Sequence, residues 1–154
     1  MCTVVQRLAF VALILMAMVV ALGCGKREEV SQQAAAPTPE DAALTVARCL
    51  ANGDSTTAAA YWAYDEEARA KYDDWDTLSA SEKAQRIEKL RVLKGRQLHK
   101  LVPLFDNAKG EIRCDQSSGP TIRVFDDSST LAEITVVKED TGYRVTNVDT
   151  HAAT

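Results

Sequence analysis

The sequence predicts an α+β domain in which N-terminal helices cover an antiparallel sheet, preceded by an export segment and a flexible tether. Apolar residues recur at helical spacing between about residues 38 and 103, whereas apolar and polar residues alternate from residue 111 onward. The chain has 154 residues, of which 46% are hydrophobic and 26% are charged. This length and balance indicate one domain of ordinary size and exclude a collagen-like or low-complexity chain.

An export signal is predicted over residues 1–23. Arg7 is the only charge in this stretch, and the uncharged run LAFVALILMAMVVAL follows it at Leu8–Leu22. A basic start, an apolar run and then small residues is the order of a secretory signal peptide. The ending Gly23-Cys24 resembles the lipobox of bacterial lipoproteins. The resemblance implies that Cys24 is diacylated through its thiol and becomes the mature N-terminus.

Two other interpretations of this segment stay open. An uncleaved anchor would need about 20 apolar residues to span the membrane, and ordinary secretion would release the chain. Each interpretation places the domain outside the cytoplasm. We therefore expect a lipid-anchored protein of the bacterial cell membrane or outer membrane, with its domain extracytoplasmic.

Residues 24–37 are predicted to form a disordered tether. Lys26–Thr38 (KREEVSQQAAAPT) has mixed charge, Gln, Ala and Pro, without apolar periodicity. Such a chain would hold the domain on the order of 20 Å from the membrane surface. The formal net charge is −4, and loss of residues 1–23 removes one base and no acid, which gives −5. A mildly acidic domain argues against non-specific nucleic-acid binding.

Three helices are predicted before residue 103. Thr38-Pro39-Glu40-Asp41 begins the first with a capping box and a proline at the first helical position, and Asn52-Gly53 ends it. Ser55 is predicted to cap the second, TTAAAYWAYDEEARAKY. Ser79-Ala80-Ser81-Glu82 opens the third, which Gly95 can interrupt and Pro103 must end.

Two oppositely charged blocks lie on the second and third predicted helices. Asp65–Asp76 holds six acids and two bases, whereas Lys83–Lys100 holds seven bases and one acid. One interpretation makes the basic block a site for a polyanion or a lipid headgroup. The other, which we favour, makes it the solvated face of an amphipathic helix beside its acidic neighbour, where ion pairs contribute about 0–1 kcal/mol each.

Four strands are predicted in the last third of the chain. They are rich in Val, Ile and Thr and alternate in polarity, over Glu111–Cys114, Thr121–Phe125, Thr130–Lys138 and Tyr143–Asp149. Turn residues at hairpin distances separate them. This pattern predicts an antiparallel meander after the helices, which is an α+β layer arrangement.

The order of these elements resembles the SnoaL-like superfamily, which shares a cone-shaped fold with ketosteroid isomerases and nuclear transport factors. The likeness covers about residues 38–150 and rests on the ANGD ending of the first helix, the aromatic second helix and the last hairpin, AEITVVKEDTGYRVTNVD. There, Gly142-Tyr143-Arg144-Val145 stands for the family's Gly-Trp-Lys-Val/Ile. The resemblance implies a curved sheet of the cystatin/SnoaL-like cone kind. It implies little about activity, because this fold hosts enzymes, binders and scaffolds.

Five aromatic residues around the second helix are the candidate ligand-pocket residues: Tyr61, Trp62, Tyr64, Tyr72 and Trp75. The cone resemblance makes them candidates for lining its concave side. Isomerases of this kind use a pocket carboxylate beside a tyrosine. Asp65, Asp73 and Asp76 supply that residue type, but no spacing singles out a pair.

We assign no catalytic residue, no metal and no cofactor from the sequence. It contains no nucleophile elbow, no phosphate-binding loop and no zinc-ligand motif. The two histidines are isolated: His99 lies in the basic block with no acid nearby in sequence, and His151 lies three residues from the C-terminus. We interpret both as solvated surface residues.

Two cysteines, Cys49 in the first helix and Cys114 in the first strand, accompany Cys24 in the mature chain. In an extracytoplasmic domain they are a disulfide candidate. The bridge would close a loop of about 66 residues and contribute roughly 4 kcal/mol. The alternative is a pair of buried free thiols.

These observations predict an envelope lipoprotein that acts as a non-enzymatic binding or interaction module. Its expected partners are the membrane, through the lipid anchor, and either a small apolar ligand or an envelope protein that the sequence does not identify. Nucleic acid is not an expected partner, and the oligomeric state stays open. An isomerase- or dehydratase-type enzyme with a pocket carboxylate is the alternative, and a purely structural lipoprotein is a third interpretation.

Overall fold

Helices come first and a four-stranded antiparallel sheet follows, which confirms the predicted α+β class. The computed structural model describes residues 33–108, 110–115 and 119–150, which fall in one compact unit. The helices are α1 (Pro39–Ala51), α2 (Ser55–Ala60), α3 (Tyr64–Lys71), α4 (Ala80–His99) and α5 (Val102–Phe105), with a 3-10 turn at Trp75–Thr77. The strands are β1 (Arg113–Cys114), β2 (Thr121–Phe125), β3 (Thr130–Glu139) and β4 (Gly142–Thr150).

Helix α1 begins and ends where the sequence predicts. The Thr38 hydroxyl accepts a hydrogen bond from the Asp41 backbone N–H at 3.1 Å and donates one to the Asp41 carboxylate at 2.8 Å. Asn52 caps the other end, and Gly53 takes a positive φ of 74°. Glycine adopts that conformation without steric cost. Local capping chemistry therefore fixes both ends of this helix.

The sheet is a simple meander with the strand order β1-β2-β3-β4. Ile122 lies opposite Ile134 in the β2–β3 pair, and Ile134 lies opposite Val148 in the β3–β4 pair. The register shifts at Val124/Phe125 and again at Thr135/Val136, and such bulges bend and twist the strands. β1 is shorter than predicted, because only Arg113 and Cys114 pair with β2.

The apolar stripe of α1 packs against the sheet and forms the centre of the core. α1 contacts all four strands. Its buried residues are Ala42, Ala43, Val46, Ala47 and Leu50. The strands bury Ile122, Val124, Ala132, Ile134, Val136 and Val145. Each fully buried aliphatic side chain contributes about 1.5–3 kcal/mol, so this layer is the main source of stability.

The predicted second helix is two helices, because its middle pairs with the sheet. Val145 in β4 donates its N–H to the Tyr61 carbonyl at 2.8 Å, and its own carbonyl accepts from the Ala63 N–H at 2.9 Å. Trp62 thereby forms a parallel bridge with Val145. The backbone at residues 61–63 cannot donate to β4 and continue a helix at the same time, so α2 ends at Ala60 and α3 begins at Tyr64.

The cap of α2 is Asp54, and the prediction of Ser55 was wrong by one residue. The Asp54 carboxylate accepts a hydrogen bond from the Thr57 backbone N–H at 2.9 Å. Ser55 is the first helical residue and is buried. Aspartate and serine are both preferred caps. The chain turns at Gly53, and Asp54 directly after it takes the capping position.

Helix α4 opens with the predicted capping box and continues through Gly95 to His99. The Ser79 hydroxyl accepts from the Glu82 N–H, and the Glu82 carboxylate accepts from the Ser79 N–H. α2 packs alongside α4 at Gly95, and a Cβ on this residue would lie 3.7 Å from the Ser55 carbonyl oxygen and 3.9 Å from the Ala59 Cβ. Gly95 therefore marks a close approach of two helices and not a break.

The last part of the predicted tether is bound to the domain. The backbone of Ala36 pairs with Tyr143 of β4 at 3.0 and 2.8 Å, and the Ala34 N–H donates to the Ala60 carbonyl at 2.9 Å. The buried Arg144 guanidinium donates to the carbonyls of Ala34 and Gln33 at 3.2 and 3.3 Å. The prediction of a free chain up to residue 37 was thus wrong for residues 33–36. Ala36 pairs with the edge of β4, and Gln33 and Ala34 are hydrogen-bonded to other parts of the domain.

Gly142 makes this contact sterically possible. Its φ is +137°, and a Cβ at this position would lie 2.6 Å from the Ala36 carbonyl oxygen. A side chain would therefore collide with the backbone of the bound segment as well as strain its own backbone.

Removal of the bound segment should destabilise the domain. A chain that begins at Thr38 loses three backbone hydrogen bonds and two acceptors of the buried Arg144, each worth about 0.5–1.5 kcal/mol. Compared with a chain that begins at Gln33, we expect its free energy of unfolding to fall by about 3–7 kcal/mol, measured by urea denaturation. Gly142→Ala should cost less in the shorter chain than in the longer one, because its collision partner is gone. Equal stability of the two chains would contradict the described pairing.

Gly95→Ala should stabilise the protein by about 0.5–1 kcal/mol, because alanine favours the helix interior and the new methyl meets only ordinary contact distances. Gly53→Ala is the matched control. It has open space around it but a positive φ, so it should destabilise by about 1 kcal/mol. Thermal or urea unfolding measures both, and a loss of stability in Gly95→Ala would show that α2 and α4 lie closer than described.

Candidate functional site

The clefts on the surface of the described domain include two that lie beside its helices. The first, the α2/α4 groove, has a volume of about 360 Å³ and is lined by Ser55 and Thr56 of α2 and by Glu88, Arg91, Val92, Gly95, Arg96 and His99 of α4. The second, the hairpin cleft, has a volume of about 500 Å³ and lies between α3 and the β3–β4 turn. Both clefts are partly open to solvent.

The α2/α4 groove is cationic. Arg91 and Arg96 contribute two positive charges, and Glu88, the acid in the lining, lies 3.3 Å from Arg91. This pair spans one helical turn of α4, so the charge of Arg91 is already balanced. Arg96 at the open side has no acidic partner among the described residues. The groove is thus suited to contact with an anionic group, and the carboxylate in its lining, Glu88, is paired with Arg91.

The hairpin cleft is built around the buried Arg144. Its guanidinium donates to the Thr141 hydroxyl at 2.9 Å and pairs with Glu139, besides holding the chain at residues 33 and 34. Burial lowers the pKa of Arg144, while the nearby charge of Asp65 acts in the opposite direction. Because the donors of Arg144 already have acceptors, this residue fastens the N-terminal segment to the sheet.

The five candidate aromatics lie in the core or against it, and none lines either cleft. Tyr64 is fully buried, and its hydroxyl donates to the Ala59 carbonyl at 2.7 Å. Burial, with a smaller contribution from Glu67, raises the pKa of Tyr64. Trp62 and Trp75 are also buried, while Tyr61 and Tyr72 are partly buried and packed against the core.

Basic residues of α4 cover three of these rings. The Lys94 ammonium lies 4.2 Å from the centre of the Trp62 ring, Arg86 lies 4.5 Å from that of Tyr72, and Lys83 lies 5.6 Å from that of Trp75. Tyr72 and Trp75 stack on each other with centres 6.4 Å apart. Cation–π contacts of this kind contribute about 0.5–2 kcal/mol. The sequence shows both sets of residues, but their facing positions follow only from the fold.

The same bases pair with the acidic block, as the favoured interpretation expects. Arg86 donates two hydrogen bonds to the Asp74 carboxylate at 2.6 and 2.9 Å, and Lys94 lies 3.2 Å from Glu67. The bond with Arg86 lowers the pKa of Asp74. Much of the basic block on α4 is therefore the counterpart of the acidic block on α3 and the turn that follows it.

The carboxylates considered for catalysis lie on the surface. Asp65, Asp73 and Asp76 are all exposed, and Asp76 pairs with Arg69. Hydrogen bonds lower the pKa of three other acids, Asp54, Asp74 and Glu82. No group of three or more His, Cys, Asp or Glu residues in the described part of the chain can hold a metal ion. His99 is exposed at the end of the α2/α4 groove.

Cys49 and Cys114 are free thiols, each partly buried. Of the two alternatives left open by the sequence, the structure therefore has the unbridged pair. Burial raises the pKa of both thiols, with help from Asp54 for Cys49 and from Glu40 and Asp115 for Cys114. The two sulfurs thus have different acidic neighbours.

Cys24, the candidate lipidation site, lies outside the described residues, as do the predicted signal peptide, the tether before residue 33 and His151. Within residues 33–108, 110–115 and 119–150, no helix has the length and hydropathy to cross a membrane. Compared with known proteins, the chain matches no family model, no curated protein and no solved structure. The site must therefore be interpreted from its own geometry.

The free thiols give a pH-dependent prediction. Because the pKa of each is raised above the ordinary value of 9.0, the reactive thiolate is scarcer in the folded protein than in the unfolded one at neutral pH. Alkylation of Cys49 and Cys114, followed peptide by peptide by mass spectrometry, should keep accelerating at pH values where the unfolded protein has reached its plateau. Identical pH profiles for the folded and the unfolded protein would contradict the burial of the thiols. If neither cysteine of the unfolded protein can be alkylated until a reductant is added, the two form a disulfide.

Proposed function

We propose that the protein is a membrane-anchored lipoprotein of the bacterial envelope, held by a lipid on Cys24, whose α+β domain is a non-enzymatic interaction module outside the cytoplasm. The signal-peptide order of residues 1–23 and the Gly23-Cys24 ending support the anchor. The bound segment at residues 33–36 leaves only residues 25–32 as a link. Eight residues reach at most about 28 Å even when fully extended, so the domain stays beside the membrane.

The filled interior is the observation that supports interaction over catalysis. The space between α1 and the sheet is occupied by fully buried apolar side chains such as Val46, Leu50 and Ile134. An isomerase-type site needs a buried carboxylate facing a tyrosine. The fully buried tyrosine, Tyr64, donates its hydroxyl to a backbone carbonyl, and the three candidate aspartates are exposed. The module therefore works through its surface.

We also propose that the domain has the curved-sheet shape of the SnoaL-like cone. Two bulges in the meander bend its strands, and α1 lies across all four of them. The β3–β4 hairpin, with Gly142 and Arg144, is the last one of the meander, as the resemblance implies. These features support the shape and assign no activity, because folds of this kind serve many functions.

Metabolic labelling with a fatty-acid analogue tests the anchor. The wild type should be labelled and Cys24→Ala should not, because this substitution removes the thiol that accepts the lipid. Cys2→Ala is the matched control: it removes another N-terminal cysteine and should be labelled like the wild type. Label in Cys24→Ala equal to that in the wild type would refute the lipoprotein assignment.

A further inference from the structure

The seven bases of Lys83–Lys100 divide into an inner and an outer set. Lys83, Arg86, Arg91 and Lys94 contact aromatic rings or acids within the domain. The outer set consists of Lys89, Arg96 and Lys100. None of these three has an ion pair or a ring contact anywhere in the described part of the chain. Contacts within the domain therefore do not explain why these three positions are basic.

The outer bases share one face with the most exposed apolar side chains. At 100° per residue, positions 89, 96 and 100 fall within a narrow stripe along α4, flanked by Val92 on one side and Leu93 on the other. Val92 is 48% exposed and Leu93 is 44% exposed. The other large hydrophobic residue exposed in the described chain is Leu104 of α5, at 43%. All three lie within residues 92–104 of the sequence, which also contain the outer bases Arg96 and Lys100.

We propose that this face, the α4 face (Lys89, Val92, Leu93, Arg96 and Lys100), rests on an anionic lipid membrane. Bases interspersed with exposed aliphatic side chains suit the boundary between headgroups and acyl chains. The bases attract anionic headgroups within a Debye length of the surface. The mature chain, without residues 1–23, has a net charge of −5, which disfavours long-range attraction to an anionic membrane. The contact therefore depends on a domain already held close.

The inference rests on the proposed function in one respect: the anchor on Cys24 supplies that proximity. Only residues 25–32 separate the anchor from the bound segment at Gln33, so the domain cannot move beyond the reach of this short link. A surface patch too weak to recruit a soluble domain can then orient an anchored one. Lipid chains and a basic patch are the two signals that together give stable membrane attachment.

Lysine footprinting of the full-length protein in vesicles tests the contact. We would reconstitute it in phosphatidylcholine alone or mixed with phosphatidylglycerol, and measure the acetylation rate of each lysine by mass spectrometry. Lys89 and Lys100 should react several-fold more slowly in the anionic vesicles, and high salt should remove the difference. Lys71 and Lys138 are internal controls, since both are exposed on other elements and contact only a tyrosine ring. Their rates should not change.

A matched pair of variants tests the orientation. A photoreactive group on the phosphatidylglycerol headgroup should label the peptide that contains Val92 and Leu93 in the wild type. Lys89→Glu/Lys100→Glu should lose this label, whereas Lys71→Glu/Lys138→Glu, with the same change in charge, should keep it. Circular dichroism checks that both variants are folded, and Lys89→Gln/Lys100→Gln, which removes the charge without reversing it, should give intermediate labelling.

The outcomes separate this inference from the proposed function. A lipid-labelled Cys24 with no protection of Lys89 and Lys100 in anionic vesicles overturns the α4 face and leaves the anchor standing. An unlabelled Cys24 refutes the anchor, and protection of the same lysines by anionic vesicles would still support the α4 face. Protection by soluble heparin but not by vesicles would overturn the lipid assignment and indicate a polyanion site.

Discussion

The backbone of Val145 forms hydrogen bonds with the backbone of Tyr61 and of Ala63, and the arrangement of the helices depends on these two bonds. β4 is the last strand of the sheet, and its outer edge would otherwise present unpaired N–H and C=O groups. The segment at residues 61–63 covers that edge at Val145, and the segment at Ala36 covers it at Tyr143. Edge protection therefore explains why α2 and α3 are separate and why the domain begins before α1.

The local signals of the sequence predict α1, α4 and the meander well, and they fail where a distant strand decides the conformation. Caps such as Thr38 and Ser79 act on their own helices, so the chain itself encodes these ends. Tyr61-Trp62-Ala63 contains no proline or glycine, so nothing in the segment itself signals that a helix ends there; the pairing with β4 ends it. The same limit applies to the aromatics: their clustering was visible, but whether they lie under the bases of α4 or around a pocket depends on packing between elements.

Helix α4 is attached to the domain in an unusual way. Of its 20 residues only Leu90 and Leu98 are buried. The rest of the attachment comes from the close packing of α2 at Gly95 and from long basic side chains that lie over aromatic rings. The charged ends of these side chains lie near Asp74 and Glu67. Lysine and arginine stems bury apolar surface while their heads stay near water. The helix thus has bases on the side that faces the domain and on the side that faces away from it. The outer bases, Lys89, Arg96 and Lys100, take no part in attaching the helix.

The fastening of residues 33–36 determines how force enters the domain. A pull on the chain from its N-terminal side reaches Gln33 first, then Ala34, then Ala36. The bonds from Arg144 to the carbonyls of Gln33 and Ala34 are therefore loaded before the pair between Ala36 and Tyr143. Helix α1 bears load only after all of them have parted. The bound segment therefore bears a force applied to the N-terminal chain before that force reaches the core.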